Sequence, residues 1–419
     1  MDRIVFFEDE QALNFSPISL FRPVFELLCG HYSVRERISK SFADSSWGGI
    51  IRPELREIYQ EEHPEASINT DVNFRNGQTL FINGRWLTQK KDLDSIKEGT
   101  AGWIDDELVW LAVEPSDGVE FNCPGQVESL RSLAQTKRRV QATGRLVHYP
   151  WDLVSHNGEQ LTLDFNDRSK DESLDISQNL GLVGDAKNVY VHQSAELDPF
   201  VVLDSRHGPI WIDEKAKIQA FTRIEGPAYI GRETQTFRAN IREGTSIGPV
   251  CRVGGEIEES IIHGFANKYH DGFLGHSYVC PWVNLGALTT NSDLKNDYSN
   301  VSVPLAGKGI KSNSNKVGCF IGDHTKTALC SLFNTGSSIG AMSLILPGGE
   351  LLPKHIPSFS RIWHGQLEEL PDGTSSAIST AEYAMGRRGQ TFTPAMKRHI
   401  LSLFEKTSAE RELALSRNR

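Results

Sequence analysis

Aliphatic residues recur about every six positions through the middle of the chain, at Val191, Leu197, Leu203, Ile210, Ile218, Ile224, Ile230, Ile241, Ile247, Val253, Leu274 and Leu285, with some steps lengthened or skipped. Such an interval fits neither an α-helix nor a simple strand. A small residue often follows, as in Ile230-Gly231, Ile247-Gly248, Val253-Gly254, Leu274-Gly275, Leu285-Gly286, Ile321-Gly322 and Ile339-Gly340. This pattern predicts a parallel β-helix of hexapeptide repeats. Each short strand forms one side of a triangular coil, with the aliphatic side chain pointing inward and the small neighbour permitting the corner. Coils stack at about 4.8 Å and are stabilised by their neighbours, so a long run is required. An antiparallel sandwich with frequent turns leaves the aliphatic–Gly pairs unexplained.

The cadence is interrupted twice. The stretch Asn267-Lys268-Tyr269-His270-Asp271-Gly272-Phe273-Leu274-Gly275-His276 is densely polar, and 292–316 is rich in Asn, Ser, Lys and Gly and reads as an extended loop leaving the prism. Before the repeats, residues 1 to about 185 read as mixed α/β: a strand at Ile4-Val5-Phe6-Phe7, a helix around Val34 to Phe42, a buried strand at Leu80-Phe81-Ile82-Asn83, and a helix from Gln126 to Ala142 closed by Gly144. After Gly365 the cadence ends. Thr380 to Met385 and Pro394 to Leu415 look helical, with Ile400, Leu401, Leu403 and Phe404 forming an apolar stripe that suits a cap on the prism. The expected domains are therefore 1–185, 186–370 and 371–419.

A length of 419 residues exceeds what one core usually serves. The net charge of -10 argues against a nucleic-acid surface, although a small anionic substrate needs only a few placed cations. The cysteines Cys29, Cys123, Cys251, Cys280, Cys319 and Cys330 have no metal-site or disulfide spacing. Acidic residues near the N-terminus exclude a signal peptide there, and no apolar run approaches membrane length, so a cytoplasmic location is expected.

Several motifs are more specific. They are Phe21-Arg22-Pro23-Val24-Phe25-Glu26-Leu27, Phe81-Ile82-Asn83-Gly84-Arg85, Tyr149-Pro150-Trp151-Asp152-Leu153, the stretch 267–277, Trp282 to Ala287, Gly322-Asp323-His324-Thr325-Lys326-Thr327, Asn334-Thr335-Gly336 and 353–360. On these the chain resembles the divergent GlmU-family sugar nucleotidyltransferases, bacterial proteins related to the bifunctional N-acetylglucosamine-1-phosphate uridyltransferase and glucosamine-1-phosphate acetyltransferase. The resemblance implies a Rossmann-like α/β nucleotidyltransferase domain, a left-handed parallel β-helix acyltransferase domain and a C-terminal helical appendage. It further implies a sugar phosphate, a nucleoside triphosphate (UTP first) and acetyl-CoA as substrates, Mg²⁺ if nucleotidyl transfer is retained, and a homotrimer in which the 292–316 loop covers a neighbour's site.

Within that resemblance His270 holds the catalytic-base position, since imidazole accepts a proton near neutral pH; Asp271 and His276 are alternatives. Arg242 aligns with a cation for the sugar phosphate or uridine, Lys268 is a candidate for phosphate, and Asn267, Asn284 and Asn291 for sugar hydroxyls or an acetamido group. Thr327, Ser331 and Thr335 mark the expected pantetheine groove. The N-terminal domain departs from the family pattern. Residues 8–20 contain no glycine to cradle phosphate, leaving Arg22 and Arg35 as candidate phosphate ligands, and Asn83 stands where relatives place a metal-binding Asp. Phe273 replaces a common Tyr. The alternative readings are that one activity alone is retained, or that the β-helix binds a sugar nucleotide or organises an assembly without catalysis.

Overall fold

The computed structural model describes residues 1–70, 72–73, 77–115, 120–121, 127–168 and 180–417. Cys123 and Gln126 lie outside them. The N-terminal module contains β1 (Arg3–Phe7), α1 (Val34–Ser39), β2 (Ser46–Ile50), α2 (Arg56–Glu62), β3 (Ser67–Ile68), β4 (Thr79–Asn83), β5 (Thr100–Ile104), β6 (Glu107–Val113), α3 (Val127–Gln135), β7 (Arg138–Gln141) and α4 (Pro150–Asn166). The sheet order is β7-β5-β6-β4-β1-β2-β3, with β6 antiparallel to both neighbours and the other pairings parallel. Its strands are apolar on both faces: Val5, Phe7, Phe81 and Leu111 pack with Leu130 of α3, while Ile4, Phe6, Leu80 and Ile82 face the larger core shared with the β-helix.

One expected element divides in two. The helix read over 126–142 stops at Gln135, and Arg138–Gln141 forms the edge strand β7. Arg-Arg-Val-Gln suits an edge because polar side chains there keep contact with water.

From Gly181 the chain winds a three-faced parallel β-helix. Face one begins Gly181–Val183, Val202–Asp204, Arg223–Glu225; face two begins Val189–Val191, Ile210–Ile212, Ala228–Ile230; face three begins Glu196–Leu197, Lys217–Ile218. Each strand pairs in parallel with its counterpart one coil on. Inward positions are aliphatic and fully buried, as at Ile224, Ile230, Ile247 and Ile321, because the prism has room for one branched side chain per face. Glycine after the aliphatic residue reflects crowding: a Cβ on Gly248 would lie 1.8 Å from the His263 carbonyl oxygen.

The 292–316 excursion does not extend away. It forms a hairpin of Ser302–Leu305 with Lys308–Lys311 and folds back on its own β-helix, burying Val301, Val303 and Leu305.

The helices α5 (Ser375–Gly386), α6 (Pro394–Lys406) and α7 (Ser408–Arg417) follow the repeats. Ile400 and Leu403 of α6 cluster with Phe21 of the N-terminal module and Ala341, Met342 and Phe359 of the β-helix, while Leu401 stays exposed. The stripe thus ties three modules together on the flank of the prism.

The N-terminal module sits on face two. Asn157 of α4 accepts from the Gly30 N–H at 2.7 Å and donates to the Gly244 carbonyl at 2.8 Å, and Ser246 Oγ donates to the Gly30 carbonyl at 2.8 Å. Such satisfied buried polar contacts fix one relative placement of the modules.

Candidate active site

Face three passes to face one through a corner whose length differs between coils. Val253 pairs with Lys268 and Glu256 with Phe273, so Gly254-Gly255 in one coil faces Tyr269-His270-Asp271-Gly272 in the next. The four-residue corner, a length shared with 198–201 and 219–222, stands out over the two-residue Gly254-Gly255 corner and exposes His270 and Asp271. Both line a cleft of about 330 Å³ with Phe237, Arg238, Tyr269 and Leu288. Gly272 makes the return possible: its φ is +127°, and a Cβ would lie 2.2 Å from the Thr289 carbonyl oxygen. Tyr269 leans on Phe237 with ring centroids 4.0 Å apart, and the His270 ring stands against Tyr269 at 4.8 Å.

Lys268 supports this corner from inside. It occupies the inward position stacked on Val253, is 3 % exposed, and donates to the carbonyls of His270 at 2.6 Å and Gly254 at 3.0 Å. Burial pushes its ammonium down to about 8, with Asp271 opposing the shift. Its charge faces backbone oxygens, not the cleft.

The remaining residues singled out from sequence occupy other places. His276 is buried on the corner between faces one and two, with Nδ1 2.8 Å from Asp293 and Nε2 3.1 Å from Glu259. Burial opposes its charge, but the two carboxylates outweigh that and lift the imidazole to about 9. It is therefore a cation at neutral pH, not a proton acceptor. Arg242 stands on face one among Glu225, Glu243, Glu256 and Glu258, all within 3.4 to 3.7 Å. Asn267 and Asn284 bond to each other at 3.0 Å on face three, and Arg388 of the C-terminal segment donates to Asn267 at 2.7 Å. Asn291 fills a gap in backbone pairing on face one, exchanging bonds with both backbone groups of Gly275. Thr327, Ser331 and Thr335 are buried, with hydroxyls bonded to Thr289, the Ala328 carbonyl and Ser292. The structure brings His270 and Asp271 together in one cleft and spreads the others over the prism.

In the N-terminal module the three candidates are engaged internally. Arg22 forms a bidentate pair with Asp323 of the β-helix, and Arg35 pairs with Glu26 while lying over Trp47 at 4.9 Å. Asn83 donates to Asp9 at 2.9 Å and accepts from the Arg85 N–H at 3.0 Å. Arg85, wholly buried, holds both Asp9 oxygens and reaches Glu107. The carboxyl ends of β1 and β4, where open α/β sheets receive ligands, carry this network and the Glu8–Arg52 pair.

Arg238, Phe237 and Leu288 were not singled out from the sequence. A signal existed: Phe221, Arg238 and Leu288 fall on the same corner of different coils, all with positive φ, and that row can be counted from the repeat.

The structure is thus a two-module one, an α/β sheet module joined to a β-helix of hexapeptide repeats with a His-bearing corner. Comparison with known proteins agrees. Residues 4–173 match the family described as sugar nucleotidyl transferase. A bifunctional sugar-1-phosphate nucleotidylyltransferase/acetyltransferase of Sulfurisphaera tokodaii is 32% identical over 202 residues, covering 48% of this chain and 44% of that protein. The bifunctional protein GlmU of Methanococcus maripaludis strain C7 is 37% identical over 90 residues, 22% of each chain. The chain thus spans less than half the length of these curated relatives. The solved UDP-N-acetylglucosamine acyltransferase of Francisella novicida aligns over 54% of this chain and 87% of its own at 14% identity and a TM-score of 0.27, too low to carry an argument. The chain is thus similar to sugar nucleotidyl transferases over its N-terminal part and to bifunctional nucleotidylyltransferase/acetyltransferases over about half of its length.

Proposed function

We propose that this protein is a transferase of sugar-nucleotide biosynthesis whose corner cleft transfers an acetyl group from acetyl-CoA to the amine of a sugar phosphate. The observation that carries the reading is the corner cleft, which holds an exposed imidazole and a carboxylate on a rigid coil beside the shortened Gly254-Gly255 corner. In the proposed step the amine nitrogen attacks the thioester carbonyl carbon. His270 takes the proton the nitrogen sheds as the C–N bond forms, and the C–S bond breaks to release coenzyme A, whose thiolate is then protonated. Lys268 holds the His270 backbone in place, and Arg238 offers the cleft's guanidinium for a phosphate.

An exposed apolar row supports oligomer formation at the same corner. Phe200 and Phe221 are 67 % and 68 % exposed and stack on each other at 5.6 Å, followed by Tyr269, Leu288 and Leu329. Second and third copies packed along this row would form a homotrimer and close the cleft over His270.

Nucleotidyl transfer from a triphosphate, UTP first, to a sugar 1-phosphate would fall to the N-terminal module. One observation favours the reading that acyl transfer alone is retained. Asp9 and Asn83, the donors that would hold Mg²⁺, are satisfied by Arg85, and Arg22 is committed to Asp323. This donor set does not fit the ion, and no step is routed through it.

The test is thiol release from acetyl-CoA with glucosamine 1-phosphate, beside His270→Ala. Release that disappears in a folded, equally oligomeric variant supports the reading; equal release in both removes His270. Mg²⁺-dependent pyrophosphate release from UTP and a sugar 1-phosphate would restore the second activity.

A further inference from the structure

A second cavity lies away from His270, at the opposite corner of face three. It has a volume of about 480 Å³ and is walled by all three modules: Phe21 to Glu36 and Glu62 of the first, the Phe265, Trp282 and His324 corner of the β-helix, and Met385, Gln390 and Met396 beside it. Domain junctions of this size are common ligand sites. Its walls are aromatic. Phe265 stacks on Trp282 at 4.6 Å, Trp282 lies nearly parallel to His324 at 6.0 Å, and Phe21 meets His324 at 5.8 Å.

Its polar groups are only partly used. His324 is 4 % exposed, and its Nδ1 is buried without a hydrogen-bond partner; His31 Nδ1 is likewise unpartnered, 4.0 Å from Asp164. Burial holds His31 down near 3, so this imidazole is neutral. Several charges cancel nearby: Arg22 against Asp323, Arg35 against Glu26 and Arg232 against Glu233. Asp213, Glu36 and Glu62 remain, none in an ion pair among the described residues, with Asp213 accepting from the Tyr229 hydroxyl at 2.9 Å and burial holding Glu62 up at about 7. The balance in the cavity is therefore acidic, which repels phosphate and favours an ammonium.

We propose that this cavity binds an amino sugar that carries no phosphate. A sugar ring has an apolar C–H face for the aromatic walls and hydroxyls that both donate and accept, matching neutral imidazoles and carboxylates together. Its ammonium is the group that Asp213 and Glu62 leave unpaired. This site is separate from the His270 corner and stands whether or not acetyl transfer occurs there.

The test is saturation-transfer NMR and calorimetry on the full-length protein with glucosamine, N-acetylglucosamine and glucosamine 1-phosphate. Glucosamine is expected to bind, and N-acetylglucosamine at least tenfold more weakly because acetylation removes the cation. Glu62→Gln, a change at the cavity rim, should weaken glucosamine at least fivefold, and Asp213→Asn more, with an unchanged circular dichroism spectrum; His270→Ala should leave it unaltered. Absent glucosamine binding, affinity indifferent to both substitutions, or a phosphate ester whose tighter binding also depends on Glu62 would overturn the proposal.

Discussion

His276 makes stability depend on alkaline pH in a way that can be worked out. Its ring is clamped between Asp293 and Glu259 and is lifted from 6.5 to about 9. That elevation corresponds to roughly 3 kcal/mol, which we reduce to about 2 kcal/mol because the Glu259 side chain is 42 % exposed and screened by solvent. A histidine raised in the folded state stabilises fully below the unfolded value of 6.5. The contribution is lost as pH rises through about 9. Urea unfolding of wild type and His276→Gln at pH 6 and pH 10 isolates it. Any strain the variant brings is common to both conditions, so the decisive quantity is the change in their difference. We expect a gap about 2 kcal/mol larger at pH 6 than at pH 10, and an NMR titration of the ring with a midpoint near 9. An equal gap at both pH values, or a ring titrating near 6.5, would refute the clamp.

Three further outcomes follow from the packing. Lys268→Met keeps the apolar stem and removes the two bonds to Gly254 and His270; kcat for acetyl transfer should fall about tenfold with KM little changed, and a KM effect alone would deny the positioning role. Asp323→Asn leaves the Arg22 guanidinium buried beside a neutral partner and should cost about 3 to 5 kcal/mol in thermal unfolding, whereas an apolar Arg22→Met/Asp323→Leu pair should recover most of it. Phe221→Glu places a charge in the exposed apolar row and should yield monomer by light scattering, while an unchanged assembly would place the interface elsewhere.

Much of the β-helix was legible because the prism accepts few side chains inward, so its requirement is printed at each coil. Ile224, Ile241 and Val253 are buried as the cadence demands. The candidate corner was legible as the dense polar stretch 267–276; that it stands out because the preceding coil closes the same corner in two residues, Gly254-Gly255, was not. Stacking between coils was harder to read. Arg242 has the chemistry of a phosphate ligand, but the neighbouring coils place Glu225 and Glu258 beside it. Thr327, Ser331 and Thr335 look like groove residues, yet their hydroxyls close bonds inside the coil stack. Lys268 was unexpected within the prism, since a lysine there must satisfy its ammonium on backbone carbonyls, here one from His270 of its own corner and one from Gly254 of the coil before. In the N-terminal module the glycine-free stretch 8–20 adjoins a strand end filled by internal ion pairs. The partners that fill it, Arg52, Arg85 and Glu107, come from distant positions and could not be paired from sequence.

Under the proposed function the His270 corner accepts an amine and His270 removes its proton. The most direct measurement is single-turnover formation of N-acetylated sugar phosphate, followed by mass spectrometry between pH 5.5 and 8.5, for wild type and His270→Gln. The expected result is a variant slowed at least a hundredfold relative to wild type across that range. A variant that turns over at the wild-type rate with the same pH profile would contradict it.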